Sequence, residues 1–221
     1  MKLLFHALIK YLLGLLSVAL LVFFSAGTPR YANGYLFLSL LFLPMLVLGI
    51  ILFIRAPRLL QRRLNGREAE RTQRGVLAAS ALMFPLGFIV SALDFRFGWS
   101  KVPAWLVCLA SALFLVGYGI YAEVMRENAY LSRTVRVEEG QRVISSGLYS
   151  VVRHPMYLAT LLMFLPIPLI LGSFWGMLAF LLYPILLVLR IQNEERVLRE
   201  RLPGYREYAA RVRFRLLPFL W

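Results

Sequence analysis

Residues 155–189 read PMYLATLLMFLPIPLILGSFWGMLAFLLYPILLVL, 35 positions without one charged side chain. A helix crossing ~30 Å of hydrocarbon needs about 20 residues. This run is far longer than one crossing, and Gly172-Ser173 interrupts it near its middle. The pattern predicts two short helices folded back as a hairpin. Pro155 fits the first turn of the first helix, where a missing N–H costs nothing. Arg153 and His154 stand at the entrance of the hairpin and Arg190 at its exit. Charge at the edge of hydrocarbon is expensive, so these positions need an explanation.

Working outward, four more uncharged runs appear at roughly 11–29, 31–54, 75–93 and 102–122. Each is long enough to cross a bilayer as a helix. The 221 residues are 60% hydrophobic and only 16% charged. A soluble domain of this size would lack polar surface to show water. The sequence therefore predicts an all-α integral membrane protein with about six membrane helices, the last two forming the hairpin. Pro44 and Pro85 lie inside spans and are expected to kink them. Lys10 interrupts the first run, and the FFSAG stretch (23–27) is a poor cleavage site, which argues against a removable leader. "GYG" at 117–119 reads as close helix packing.

The net charge of +14 raises the question of nucleic acid, but the distribution argues against it. Arginine and lysine avoid the spans and alternate in number between connections. The first connection has only Arg30, the second has seven arginines between Arg55 and Arg74, the third has Arg96 and Lys101, and the fourth has five arginines from Arg126 to Arg153. The tail has eight more, Arg190 to Arg215. This is the positive-inside pattern. It predicts a multi-pass protein with the N-terminus, second connection, fourth connection and tail in the cytoplasm, and membrane lipids as partners for the basic excess.

Two parts differ in character. Residues 1–122 form four spans with little polar chemistry; Asp94 and Arg96 read as an interfacial pair. Residues 123–221 carry a polar stretch, the hairpin and a charged tail. The stretch around Val135, Val137 and Val143 fits either short extended structure or an irregular loop. The tail, with Val197, Leu198 and Leu202 among charges, fits an amphipathic helix at the membrane surface, broken by Pro203-Gly204 and restarted by YREYAARV (205–212).

At the hairpin entrance, His154 and Tyr157 share a face at i, i+3, and Arg153 lies one turn before Tyr157. The helix start adds N–H groups and a positive dipole end. At the exit, Arg190 and Glu194 share a face at i, i+4, with Glu195 beside them. A hairpin returns its second arm to the level where the first began, so the two clusters should meet. One reading is routine interfacial anchoring plus a local ion pair. The other is a shared pocket offering both signs of charge to a zwitterion. The two histidines, His6 and His154, are far apart, and Cys108 is alone, so no metal site is expected.

In this order, VISSGLYSVVRHPMY (143–157), RIQNEE (190–195) and YREY (205–208) resemble the isoprenylcysteine carboxyl methyltransferases and their relatives among the phospholipid N-methyltransferases. The resemblance covers about residues 123–218. It implies a membrane enzyme that binds S-adenosylmethionine between a cytoplasmic loop, the hairpin and the following helix, with the active site on the cytoplasmic face. Position by position, it implies cofactor contacts at Gln141, Arg142, Val143, Ile144, Tyr149, His154, Pro155, Met156, Tyr157 and Glu194. Arg153 belongs to the same basic approach. Arg190 matches an arginine near the acceptor, which makes it the candidate catalytic and substrate-binding residue, with Glu195 as a second substrate contact. The chain departs from the family at Thr134, where a glutamine is usual, and at Ala159, where a glycine is common. The implied acceptor is lipidic: a prenylated cysteine carboxylate, a phospholipid amine or a small isoprenoid acid. Two rivals remain. Sterol reductases share such a hairpin but bind NADPH, which needs further cationic contacts, and are usually longer. A non-enzymatic lipid carrier would not require both clusters.

Overall fold

The structure, a computed structural model, describes residues 2–64, 71–131, 137 and 140–221, without the side chains of residues 71–74. Thr134, Val135, Arg133 and Arg136, and the Arg67 part of the second basic connection, lie outside the described residues. The described chain is helical: α1 Lys2–Ala26, α2 Ala32–Arg55, α3 Pro57–Leu64, α4 Arg71–Phe97, α5 Ala104–Glu127, α6 Pro155–Phe164, α7 Ile167–Ile170, α8 Trp175–Phe180, α9 Leu182–Arg201 and α10 Tyr205–Arg211. A short 3₁₀ turn, Gly147–Ser150, precedes α6. Five helical stretches are long and apolar enough to cross a membrane, and the arm Pro155–Ile170 is a shorter apolar sixth.

The helices outrun the uncharged runs because a helix satisfies its backbone internally whatever its side chains. α1 begins at Lys2 and passes through Lys10, whose ammonium Nζ donates to the Leu64 carbonyl at 2.5 Å. α2 and α4 run uninterrupted through Pro44 and Pro85.

The hairpin breaks where the sequence says it should. Gly172 turns with φ +79, and the Asn33 amide sits 2.9 Å from where a Cβ would be. Each arm is also divided in two, at Leu165-Pro166 and at Leu181. The tip is fixed by polar contacts to the far ends of other helices. The Ser173 hydroxyl donates to Asp94 Oδ2 at 2.5 Å, Tyr31 donates its hydroxyl to the Leu171 carbonyl, and Asn33 Nδ2 donates to the Ile170 carbonyl at 2.9 Å. Tyr31 ends the α1–α2 connection, Asn33 lies in the first turn of α2 and Asp94 near the end of α4. The hairpin therefore reaches as far as those helices do.

Asp94 departs from expectation. Instead of pairing with Arg96 at an interface it is fully buried. It accepts from the Ser100 N–H at 2.7 Å, the Ser100 hydroxyl at 2.5 Å and Ser173. Arg96 lies over the Phe97 ring and against Gly27. Short hydroxyls from two connections outcompete a long, solvated guanidinium for a buried carboxylate.

α5 is the backbone of the hairpin's support. Its Gly117 packs against α6 so closely that a Cβ would lie 2.7 Å from Met163 Cγ and 2.8 Å from the Ala159 carbonyl. That close approach sets α6 directly on α5, in line with the packing reading of the 117–119 stretch. The main core gathers Val22, Phe37, Phe88, Phe114, Ile167, Phe180 and Leu187 from all the long helices.

Candidate functional site

His154 caps α6 and Pro155 stands in its first turn. The imidazole and the Tyr157 ring stack with centroids 5.6 Å apart, as i, i+3 spacing requires. The hairpin brings α9 back alongside. The Tyr157 hydroxyl donates to Glu194 Oε2 and accepts from Arg190 Nε at 2.8 Å. The Arg190 guanidinium also lies 5.7 Å from the Tyr157 ring centroid. The entrance and exit clusters thus meet on one phenol.

These residues line a cavity of about 800 Å³. Gln141, Arg142, Val143, Ile144, Tyr149, Arg153, His154, Pro155, Met156, Tyr157, Arg190 and Glu194 all contribute to its wall. Toward one end the wall is polar and aromatic. Toward the other it is built from α2, α4, α6 and α9 side chains such as Met45, Leu48, Leu77, Phe84, Met163 and Leu187. Glu194, Arg190, Leu187 and Tyr183 descend one face of α9 from the polar to the apolar end. At 1.5 Å per residue this is roughly 16 Å of axis.

Glu195 is not brought into this wall. Its carboxylate is buried and accepts from Arg153 Nε at 2.6 Å and Arg215 Nε at 3.2 Å, with His154 Nε2 at 3.4 Å and Arg199 Nη2 at 3.5 Å. One step along a helix turns a side chain by about 100°, so Glu194 and Glu195 face different surroundings. Arg153 is held further by the Ala209 and Val212 carbonyls, both at 3.0 Å. Two backbone N–H groups at this entrance are also taken. Arg153 N–H donates to the Phe214 carbonyl and His154 N–H to the Arg215 carbonyl, each at 2.9 Å.

The tail closes the polar end. Leu202, Tyr205, Tyr208, Ala209 and Val212 pack with Val137, Val143 and Leu198. The apolar face of the amphipathic tail is therefore turned onto the protein's own loop. Tyr208 donates its hydroxyl to the Tyr149 carbonyl at 2.7 Å, and Asn128 Nδ2 donates to the Tyr149 hydroxyl at 2.9 Å. Tyr205 and Tyr208, quoted above in YREY but given no role there, also line the cavity, as do Asn128, Tyr130 and Arg63, which sequence reasoning did not single out. The i, i+3 tyrosines of YREY were the available sign. Arg63 comes from the basic second connection and donates to the Tyr121 hydroxyl. Burial pushes the phenols of Tyr149 and Tyr205 well up, and Tyr208 to about 12, so all three stay neutral hydrogen-bonding groups near pH 7.

The Tyr205 hydroxyl is buried with no hydrogen-bond partner among the described residues. Buried hydroxyls are rarely left so, and a polar ligand in the cavity would supply the partner. Chemically, the wall offers a carboxylate, cations, aromatic faces and, further in, an apolar channel.

Residues 105–203 match the family model described as phospholipid methyltransferase. The match runs from the first turn of α5 through the loop and hairpin and ends just past α9.

Proposed function

We propose that this chain is a membrane methyltransferase that uses S-adenosylmethionine and acts on a lipidic acceptor. The observation that carries the reading is the cavity itself. It is polar where α9 and the tail leave the apolar bundle, apolar deeper in, and has Arg190, Tyr157 and Glu194 at the junction. The family match over residues 105–203 supports the chemistry.

The residues fit such a cofactor. About 800 Å³ is within the range of small-molecule sites. Glu194 is a carboxylate suited to hydroxyl or ammonium donors, and the Tyr205 hydroxyl needs a partner. Tyr149, Tyr205 and Tyr208 give aromatic surface, and Gln141–Ile144 and Met156 complete the wall. When bound, the cofactor supplies a methyl group already activated on a sulfonium. The chain's task is then alignment and the exclusion of water. Arg190 lies on the apolar side of Glu194, where a lipid's head would arrive from the bilayer. This geometry suits a carboxylate acceptor such as that of a prenylated cysteine, which gives up no proton. A phospholipid amine is the second reading, favoured by the description of the matched family. It needs a proton acceptor, and Glu194 is the nearest carboxylate at the junction. Assaying both acceptor classes with one preparation decides between them.

Glu194→Ala is expected to weaken S-adenosylhomocysteine binding roughly 10–100-fold, the size of losing hydrogen bonds to a charged group. Isothermal titration of the detergent-purified protein measures this, with NADPH titrated beside it. Unchanged affinity in a folded variant, or tight NADPH binding, defeats the reading.

We also place the basic end, and with it the site, in the cytoplasm. Lys10, α3 and the tail share that end, as the positive-inside rule requires. On a Cys108→Ser background, cysteines at Arg58 and Arg206 should resist labelling from outside sealed cells, while cysteines at Thr28 and Ser100 should label. Labelling at Arg58 from outside contradicts this placement.

A further inference from the structure

Behind Glu195, on the side away from the main cavity, lies a second cavity of about 400 Å³. Arg153, Arg199, Arg213 and Arg215 line it, together with aromatic and aliphatic residues of the tail. Arg153 is the one residue lining both cavities. Glu195 faces three of these arginines, at 2.6 Å from Arg153, 3.2 Å from Arg215 and 3.5 Å from Arg199. Four arginines against the Glu195 carboxylate and the carboxyl group of Trp221 leave the pocket with net positive charge, and Arg213 is exposed at its edge.

The pocket has an apolar rim. The tail folds back so that the N–H groups of Arg215, Leu216 and Leu217 donate to the Trp221 carbonyl at 2.9, 3.0 and 3.3 Å. The fold-back presents Phe219, 91% exposed, and Leu220, 77% exposed. Phe219 has φ +65, a conformation that costs a non-glycine residue. The rim sits beside residues 153 and 154, whose N–H groups are bonded to the tail, and these residues begin the apolar arm α6. It therefore lies at the level where the apolar bundle ends.

A ligand that suits both features has a phosphate for the arginines and an apolar chain for Phe219 and Leu220. We propose that this pocket is a binding site for an anionic phospholipid headgroup. Guanidinium forks match phosphate oxygens bidentately, and basic clusters with exposed aromatics are how proteins engage anionic leaflets. The site is independent of the methyltransferase reading, since its lining shares only Arg153 with the main cavity.

The test uses the full chain purified in an uncharged detergent. Binding of dihexanoyl phosphatidylglycerol, dihexanoyl phosphatidylcholine and inorganic phosphate is measured by native mass spectrometry and calorimetry. Phosphatidylglycerol should bind in preference to the other two. Arg213→Gln should weaken it about tenfold, and Arg199→Gln/Arg213→Gln about a hundredfold. Both positions are exposed, so the variants should keep the wild-type Tm, and Arg58→Gln on α3 should change nothing. Phe219→Ser should weaken the lipid but not inorganic phosphate. Equal phosphatidylglycerol affinity in wild type and double variant overturns the proposal. An equal loss in Arg58→Gln shows diffuse surface charge instead of a site and also overturns it. Phosphate binding as well as the lipid does, with Phe219→Ser silent, marks a free-anion site and overturns the lipid assignment.

Discussion

Arg190→Ala is expected to keep S-adenosylhomocysteine affinity nearly intact and to lose methyl transfer by roughly 10²–10³-fold, or ~2–4 kcal/mol of transition-state stabilisation. The reason is geometric. The Arg190 guanidinium donates to the Tyr157 hydroxyl, which in turn donates to Glu194. Removing Arg190 leaves the Tyr157–Glu194 hydrogen bond in place, so the polar end of the wall keeps its shape. What disappears is the cation one turn toward the apolar end, where the acceptor's head would be oriented. Arg190→Lys keeps the charge and loses the planar fork, so it should fall between wild type and alanine. Isothermal titration beside a radiolabelled-methyl assay on the same preparations separates the two quantities. If Arg190→Ala costs as much cofactor affinity as Glu194→Ala, the two residues act as one unit and the division of roles is wrong. If neither affinity nor rate moves, the pair is only an interfacial anchor.

Glu195→Ala should be the most damaging single change to stability, at about 3–5 kcal/mol. Arg153 and Glu195 have side chains about 5% and 4% exposed, and their bond is 2.6 Å long. Without the carboxylate, Arg153 keeps two carbonyl acceptors but no anion, and the Arg215 contact is lost with it. The start of α6, α9 and the tail are then no longer joined at one point. For a chain of this size, the loss corresponds to a fall in Tm on the order of 6–20 °C, read by thermal unfolding in detergent. Glu195→Gln, which keeps one acceptor, should lie in between. Arg153→Met/Glu195→Leu should recover part of the loss, because the penalty comes from a buried charge without its partner. An unchanged Tm in Glu195→Ala would mean that the tail is held by its packing alone.

The hairpin was legible in the residues because the hydrocarbon thickness and the Gly172-Ser173 interruption leave a 35-residue uncharged run little other choice. So was the start of α6, since a proline placed between the polar Arg153-His154 pair and an apolar run fits a first turn, where its missing N–H costs nothing. The meeting of Tyr157 with Arg190 and Glu194 followed from the same fact, because a hairpin must return its second arm to the level of its first. Periodicity along one helix also says that Glu194 and Glu195 point apart. It does not say which of them faces a cavity.

That was decided by the tail. Residues 214 and 215 bond to the N–H groups of Arg153 and His154, and Arg215 reaches Glu195. These contacts pull Glu195 into an ion cluster and leave Glu194 with Tyr157. Asp94 likewise looked like a partner for Arg96 two residues on, until Ser100 and Ser173 from separate connections enclosed it. Local spacing and hydropathy determined the spans, the hairpin and the basic end, because those depend on solvent and on neighbours along one helix. Which carboxylate each arginine meets depends on segments distant in sequence that compete for the same buried oxygens, and only the packed chain settles that competition.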